Sequence, residues 1–216
     1  MSAPYITRKA EEFPEIWHLS PLLEAFGRHS HIAGGVFRSI FTDTRVKDID
    51  VFFENELAFV SAKNKANMMG LRVISESANI ANYHDPITGH TIQLVGENSD
   101  EEYAFVFSPP DTRIEVFDFT ITKFVLYFDG KNYMVKHHPD YFADLDASRI
   151  VIDSHFVNPI STLSRVIRYT DYGYSISPKE LADLVIELQK RDYTDEKIYR
   201  SLKVPAPAPA NPRSAF

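Results

Sequence analysis

The sequence contains no cysteine, which excludes both disulfides and thiolate-based zinc sites. It has no apolar run of membrane-spanning length, and its first residues, MSAPYITRKAEEFPE, lack the apolar centre of a signal peptide. No membrane contact and a cytoplasmic location are therefore the expectation. Positive charge is also scarce: 23 Lys and Arg stand against 30 Asp and Glu, a formal net charge of −7. A protein that grips a long nucleic acid by its phosphates is usually basic, so any nucleic-acid contact here should be short and local. The eight histidines are scattered, with His29/His31 and His137/His138 the only close pairs. None has the H-E-x-x-H spacing of a zinc helix, and they read as surface or packing residues.

What is present suits a soluble globular chain: 216 residues, 44% hydrophobic and 25% charged. That length allows one ample domain with a small appendage. The stretch HIAGGVFRSIFTDTRVKDIDVFF, His31 to Phe53, organises the rest. It reads as a short strand (His31 to Ala33), a Gly34-Gly35 turn, a short helix (Val36 to Phe41), a polar loop and a second strand. On that second strand Asp48 and Asp50 are two apart, so both carboxylates share a face while Ile49 packs on the other. Two like charges side by side are unfavourable unless a cation lies between them. The glycine turn lets a backbone approach something closely, and the following helix offers N–H groups to an anion. A carboxylate pair for metal beside a glycine turn for phosphate outlines a metal-dependent nucleotide site.

Residues 1–20 read as an irregular arm with a short helical piece at Phe13–His18, and PLLEAFGRH from Pro21 as a helix. The segment ENELAFVSAKNKANMMG reads as a helix with Leu57, Val60 and Met68 inward and Gly70 at its end. LRVIS and TIQLV read as strands, the second preceded by a turn at Asp85–Gly89. After the acidic loop ENSDEE and the apolar YAFVF, RIEVFDFTITKFVLYF reads as one long strand closed by a turn at Asp129-Gly130. Its faces would be Val116, Asp118, Thr120 and Thr122 on one side, and Glu115, Phe117, Phe119 and Ile121 on the other. An acid on an apolar strand is costly to bury alone, so Asp118 should share the cation of Asp48 and Asp50. If the strand faces are read one residue off, Glu115 takes that place. HPDYFADLDASRIVI reads as a small helix and return. NPISTLSRVIRYTDYGYSISP then gives a helix with Arg165 and Arg168 three apart. PKELADLVIELQKRDY follows as an amphipathic helix with Leu181, Leu184, Val185 and Leu188 in its apolar stripe. VPAPAPANPRSAF is a proline-rich, extended tail.

These motifs together resemble the DNA polymerase β-like nucleotidyltransferases. H-I-A-G-G-V-F-R-S-I-F followed by K-D-I-D-V-F-F is similar to the first motif, G-G-x-V-R-D-x-L with D-x-D, of the head of bacterial-type tRNA nucleotidyltransferases and poly(A) polymerases. Gly34, Gly35 and Arg38 match it, while Ser39 stands where that family has aspartate. FDFTITKFVLYFDG is similar to its R-R-D-F-T-I-N-A-L-x-Y segment, with Phe117 replacing the basic residue before D-F-T. ADLDASRIVI and NPISTLSRVIRYTDYGYSI are similar to later segments, so the resemblance covers roughly residues 20–180. An E-D-x-x-R element, which templates the incoming base in CCA-adding enzymes, is not found.

The resemblance implies an α+β fold: a polymerase β-like nucleotidyltransferase head, a mixed sheet flanked by helices, with a short C-terminal helical cap, as in compact members encoded by phages. The domains expected are a head at 1–155, a helical cap at 156–203 and a flexible tail at 204–216. It further implies transfer of a nucleoside monophosphate from a nucleoside triphosphate to an acceptor hydroxyl, with an RNA or tRNA 3′ end as the acceptor. Asp48, Asp50 and Asp118 would be catalytic and would hold two Mg²⁺ ions. Gly34, Gly35, Arg38, Lys123, Arg165 and Arg168 would contact the nucleotide, ATP or another triphosphate. Rival readings are a toxin-like, small-molecule- or protein-modifying nucleotidyltransferase, and an inactive nucleotide- or RNA-binding module. The Leu181–Leu188 stripe leaves a dimer open.

Overall fold

The computed structural model describes residues 5–97, 106–153 and 158–202. The chain divides into two compact units, Met1–Ser154 and His155–Phe216.

The first unit is built on one eight-stranded sheet. Its strands are β1 (Ile6–Lys9), β2 (Ser30–Ala33), β3 (Asp48–Phe53), β4 (Arg72–Glu76), β5 (Ile80–His84), β6 (Thr91–Val95), β7 (Phe124–Phe128) and β8 (Tyr133–His137). The order across the sheet is β1-β8-β7-β2-β3-β6-β5-β4. Neighbouring strands run antiparallel except β3 and β6, which pair in parallel. The helices are α1 (Ser20–Phe26), α2 (Gly35–Phe41), α3 (Glu56–Met68), the single turn α4 (Pro110–Arg113) and α5 (Tyr141–Asp146). The fold is α+β with a mixed sheet, as the sequence implies.

Period-two patterning explains how the sheet is covered. Ile32, Val51, Leu94 and Ala81 are cross-strand partners and all buried, forming the row on which the helices pack. Phe124 extends this layer into an aromatic cluster, its ring 4.5 Å from Phe37 and 5.0 Å from Tyr141. On the opposite face Ala33, Phe52, Val95, Ile114 and Val125 form a second small core. Further along that face, on β5 and β6, the covered row gives way to half-buried polar residues: Asn82, His84, Thr91 and Gln93.

Several sequence expectations are corrected here. In α3, Leu57 is 82% and Met68 87% exposed, and Val60 faces solvent too. The buried residues are Phe59, whose ring packs edge-on against Phe53, and Ala62 and Ala66, whose small side chains let the helix lie close on the sheet. The helix begins where the Asn55 side chain accepts from the Ala58 N–H (2.9 Å), and Gly70 follows its end at φ +77°. The segment read as one long strand from Arg113 to Phe128 is broken. It runs through α4, 3₁₀ turns at Ile114–Val116 and Thr120–Thr122, and only then β7. Pro110 starts the helical turn, and Thr122 Oγ1 donates to the Phe119 carbonyl (2.8 Å), a local bond that competes with strand pairing. The alternating-face assignment across this stretch, including that of Glu115, therefore does not apply. β1, β5 and β8 are strands the sequence reading did not assign. The loop at 98–102, part of YAFVF and the tail beyond 202 lie outside the described residues.

The second unit contains α6 (Pro159–Asp171), α7 (Pro178–Gln189) and α8 (Asp195–Leu202). Both long helices start as their sequences dictate. Asn158 caps Ser161 N–H (3.3 Å), Ser177 caps Glu180 N–H (3.2 Å), and proline follows each cap. In α7, Leu184 is fully buried whereas Leu181 and Val185 are largely exposed, so the expected stripe is narrower than its spacing suggests. Helix α8 was not expected.

Candidate active site

The strand-turn-helix-strand stretch folds as its residues predict. β2 ends at Ala33, and Gly34 turns the chain at φ +92°, a conformation costly for any residue with a side chain. Space points the same way. A Cβ at Gly34 would lie 3.0 Å from Cε1 of Phe117, so that ring closes over the turn. Phe117 is the residue that replaces a basic side chain in the family pattern, and its ring is part of the apolar layer beside the acids.

Asp48 and Asp50 open β3 on one face, while Ile49 and Val51 are buried on the other. The Asp48 carboxylate is about one-third exposed (38%), with Lys47 Nζ 3.8 Å away. Asp50 is half-buried. Across the parallel pairing, Asp48 lies beside Thr91 and Asp50 beside Gln93. Two hard carboxylate oxygen donors, side by side and reachable from solvent, suit Mg²⁺. That ion takes one or two carboxylates and completes its shell with water and phosphate oxygens.

Asp118 is buried, at 8% exposure. Its backbone carbonyl accepts from Asp153 N–H (2.8 Å), and Thr120 N–H donates to Val151 (3.1 Å), so the D-F-T segment is pinned to residues 151–153. Among the described residues, no three His, Asp or Glu side chains are gathered closely enough to cage an ion on their own. Asp48, Asp50 and Asp118 are thus not gathered into one three-acid cluster; strand β3 places only the first two on a common face.

The expected nucleotide contacts fall in different places. Arg38 is buried within α2 and donates to Ser39 Oγ (2.8 Å). Ser39 occupies the family's aspartate position. Lys123 is buried, and its ammonium is engaged with Asp153 Oδ2 (2.8 Å) and Tyr5 OH (3.4 Å) rather than presented to solvent. The same carboxylate lies 3.5 Å from His138 Nε2. Tyr5, half-buried near Asp153 and Glu115, has its phenol pushed up to about 12 by desolvation first and by those two charges second. Arg165 and Arg168 lie on α6 of the second unit, where Arg168 lies 5.9 Å from the centre of the Tyr169 ring.

Two features near the acids escaped sequence reasoning. His31, fully buried on β2, stacks on Phe52 (5.9 Å, 20°), and neither ring nitrogen has a hydrogen-bond partner among the described residues. Arg113 covers the other part of this layer, its guanidinium 4.5 Å from the Phe52 ring centre and donating to the Val106 carbonyl (2.5 Å). The second feature is the polar face of β5 and β6. Its signal was present in the alternation of IANYH and TIQLV, but only the strand register shows that it adjoins the acids.

Comparison with known proteins fits this geometry. The CCA-adding enzyme solved with ATP matches with a TM-score of 0.67 at 19% identity, over 91% of this chain and 50% of that one. The Thermotoga maritima CCA-adding enzyme complexed with tRNA matches with a TM-score of 0.62 at 19% identity, over 91% and 50%. At such identities the likeness shows the fold alone, that of the CCA-adding enzymes. A curated relative, Gabija anti-defense 2 of Bacillus phage SPbetaL7, is 26% identical over 166 residues. The alignment covers 76% of this chain but only 39% of the relative, so the chain spans about two fifths of that protein's length. The model of the Gabija anti-defense 2 family protein matches residues 17–148, the segment that carries β2, α2, β3 and the D-F-T turn. The chain belongs to the Gabija anti-defense 2 family.

Proposed function

We propose that this protein is a metal-dependent nucleotidyltransferase that moves a nucleoside monophosphate from a nucleoside triphosphate to an acceptor hydroxyl. The observation that carries this reading is the pair Asp48 and Asp50, part-exposed on one face of β3 beside the Gly34 turn, in a nucleotidyltransferase fold. Asp48 and Asp50 would hold Mg²⁺ together with the triphosphate. When bound, the ions neutralise charge on the phosphates and on the attacking and leaving oxygens. The acceptor oxygen forms a bond to the α-phosphorus, the bond from that phosphorus to the β-bridging oxygen breaks, and pyrophosphate leaves. The proton of the acceptor hydroxyl passes to water, so the products are the nucleotidylated acceptor, pyrophosphate and a proton.

The chain's own residues do four things in this scheme. Gly34 and Gly35 would let the backbone approach the phosphates on the side of the turn that the Phe117 ring does not cover. Phe117 and the apolar layer of Phe52 and Val125 wall the acids on one side, which strengthens charge interactions there. Asp118 stands as the third acid that the family resemblance implies, on the acceptor side. Lys123 acts indirectly, holding the D-F-T segment in place.

For the acceptor, the matched structures favour an RNA 3′ end, since one of those enzymes is complexed with tRNA. The name of the phage relative favours a second reading, in which the acceptor is a hydroxyl on a component of the Gabija defence. The chemistry at Asp48 and Asp50 is the same in both. The test is to offer ATP, CTP, GTP and UTP labelled separately at the α- and γ-phosphates, with Mg²⁺ and either total RNA or purified Gabija components. Label from the α position should enter a macromolecule while γ label leaves as pyrophosphate. Transfer of γ label instead would mean phosphoryl transfer and would refute the proposal.

A further inference from the structure

Two rows of side chains cross the sheet on the face that carries the acids. One runs Asp48, Thr91, His84, Arg72; the other runs from Asp50 to Gln93, Asn82 and Ser75. The second row is joined by hydrogen bonds. Gln93 Nε2 donates to Asn82 Oδ1 (2.7 Å), and Asn82 Nδ2 donates to Ser75 Oγ (2.9 Å). This ladder commits the Gln93 N–H₂ toward β5. Its oxygen Oε1 is then the end of the amide not engaged by that bond, and the Gln93 side chain makes no other hydrogen bond among the described residues. Gln93 and Asp50 are register partners on the same face, and adjacent strands lie about 4.8 Å apart, so the two side chains are cross-strand neighbours.

Resting on the nucleotidyltransferase reading, we infer that Gln93 supplies a neutral third oxygen to the cation held by Asp48 and Asp50, with Asn82 and Ser75 fixing its orientation. An amide carbonyl is a fitting hard donor for Mg²⁺ or Mn²⁺, and partners behind a ligand keep it aimed. Because the donor is uncharged, it balances two carboxylates against one divalent ion and adds no further repulsion between acids. The cation is therefore held weakly by the protein alone and more firmly when triphosphate oxygens join it.

The experiment is titration of the full chain with Mn²⁺ alone, read by electron paramagnetic resonance of the free ion, which needs no turnover. Gln93→Leu and the near-isosteric Gln93→Met should each weaken Mn²⁺ binding about 10-fold, the scale of losing a donor or its support. Gln93→Glu should tighten it by a similar factor, since affinity rises with ligand charge. Asn82→Ala should weaken it less than Gln93→Leu does. Circular dichroism melting of each variant separates loss of the donor from loss of the fold. If Asp50→Asn abolishes binding while folded Gln93→Leu and Gln93→Met bind like wild type, this inference falls and the catalytic reading stands. If wild type binds no Mn²⁺ with or without a triphosphate, both fall.

Discussion

Asp50 on β3 and Gln93 on β6 are register partners across a parallel strand pair, with their side chains on the same face. That relationship puts an acid and an amide side by side near the middle of an eight-stranded sheet, where neither was adjacent in sequence. It also makes the acid pair one end of a polar surface that continues to the edge strand β4. Helix α3 and the aromatic cluster around Phe124 lie on the opposite face, whereas Arg113 of α4 covers Phe52 on the acids' own face, so the chemistry and the main core are separated by the sheet itself.

The turn before the acids is sensitive to a single methyl group. Gly34→Ala places a Cβ against the Phe117 ring and forces a positive φ on alanine. The expected loss is about 1–3 kcal/mol of unfolding free energy in a urea titration. Gly34→Ala combined with Phe117→Leu should regain the clash but not the dihedral cost. An unchanged midpoint for Gly34→Ala would show that the turn relaxes freely.

His31 should make the fold acid-sensitive. Burial, and secondarily the Arg113 charge, lowers its pKa from 6.5 to about 3, so the folded protein keeps the ring neutral. The unfolded chain binds a proton near pH 6.5. Between about pH 6.5 and 3 the unfolded state therefore holds more protons, and stability falls as pH falls. The contribution is complete above 6.5 and is lost at roughly 1.4 kcal/mol per pH unit below it. His31→Phe should flatten the curve of stability against pH in that window. If variant and wild type keep the same slope between pH 6.5 and 4.5, His31 is not the group responsible.

The D-F-T segment is anchored from below by a buried carboxylate. Asp144, 1% exposed, accepts from Thr120 Oγ1 (2.5 Å) and from Arg149 Nε (2.9 Å). Asp144→Ala should cost about 2–4 kcal/mol, because it removes charge-assisted bonds and leaves a buried hydroxyl without its acceptor. Arg149 is half-exposed, so Arg149→Ala should cost less than about 1 kcal/mol. Equal losses from the two substitutions in chemical denaturation would contradict this division.

The pattern of what the sequence revealed follows from the range of the forces involved. The glycine turn and the Asp48/Asp50 alternation are local, dictated by dihedral freedom and strand period, and both were legible. The broken stretch from Arg113 to Thr122 was not. Its β-branched and aromatic residues favour a strand, and what breaks it is the Thr120–Asp144 bond to a helix 24 residues away together with the local Thr122 bond. Inward and outward faces of α3 were likewise misassigned. Alanines at 62 and 66 sit at the contact, and the larger apolar residues remain outside. Lys123 looked like a phosphate ligand because nothing in its neighbourhood announces Asp153, thirty residues on. Gln93 lay hidden because its significance is a register between strands, not a motif.

The most direct test of the central claim is α-label transfer by wild type and by the double variant Asp48→Ala, Asp50→Ala, compared after both are shown folded by circular dichroism. Wild type with Mg²⁺ should transfer label from at least one nucleoside triphosphate to RNA or to a Gabija component. The double variant should lose at least about 1,000-fold in rate, the scale of removing the groups that hold the charge-neutralising ions. Chelation of Mg²⁺ should abolish wild-type transfer in parallel. A folded double variant that still transfers label at near wild-type rate would contradict the account.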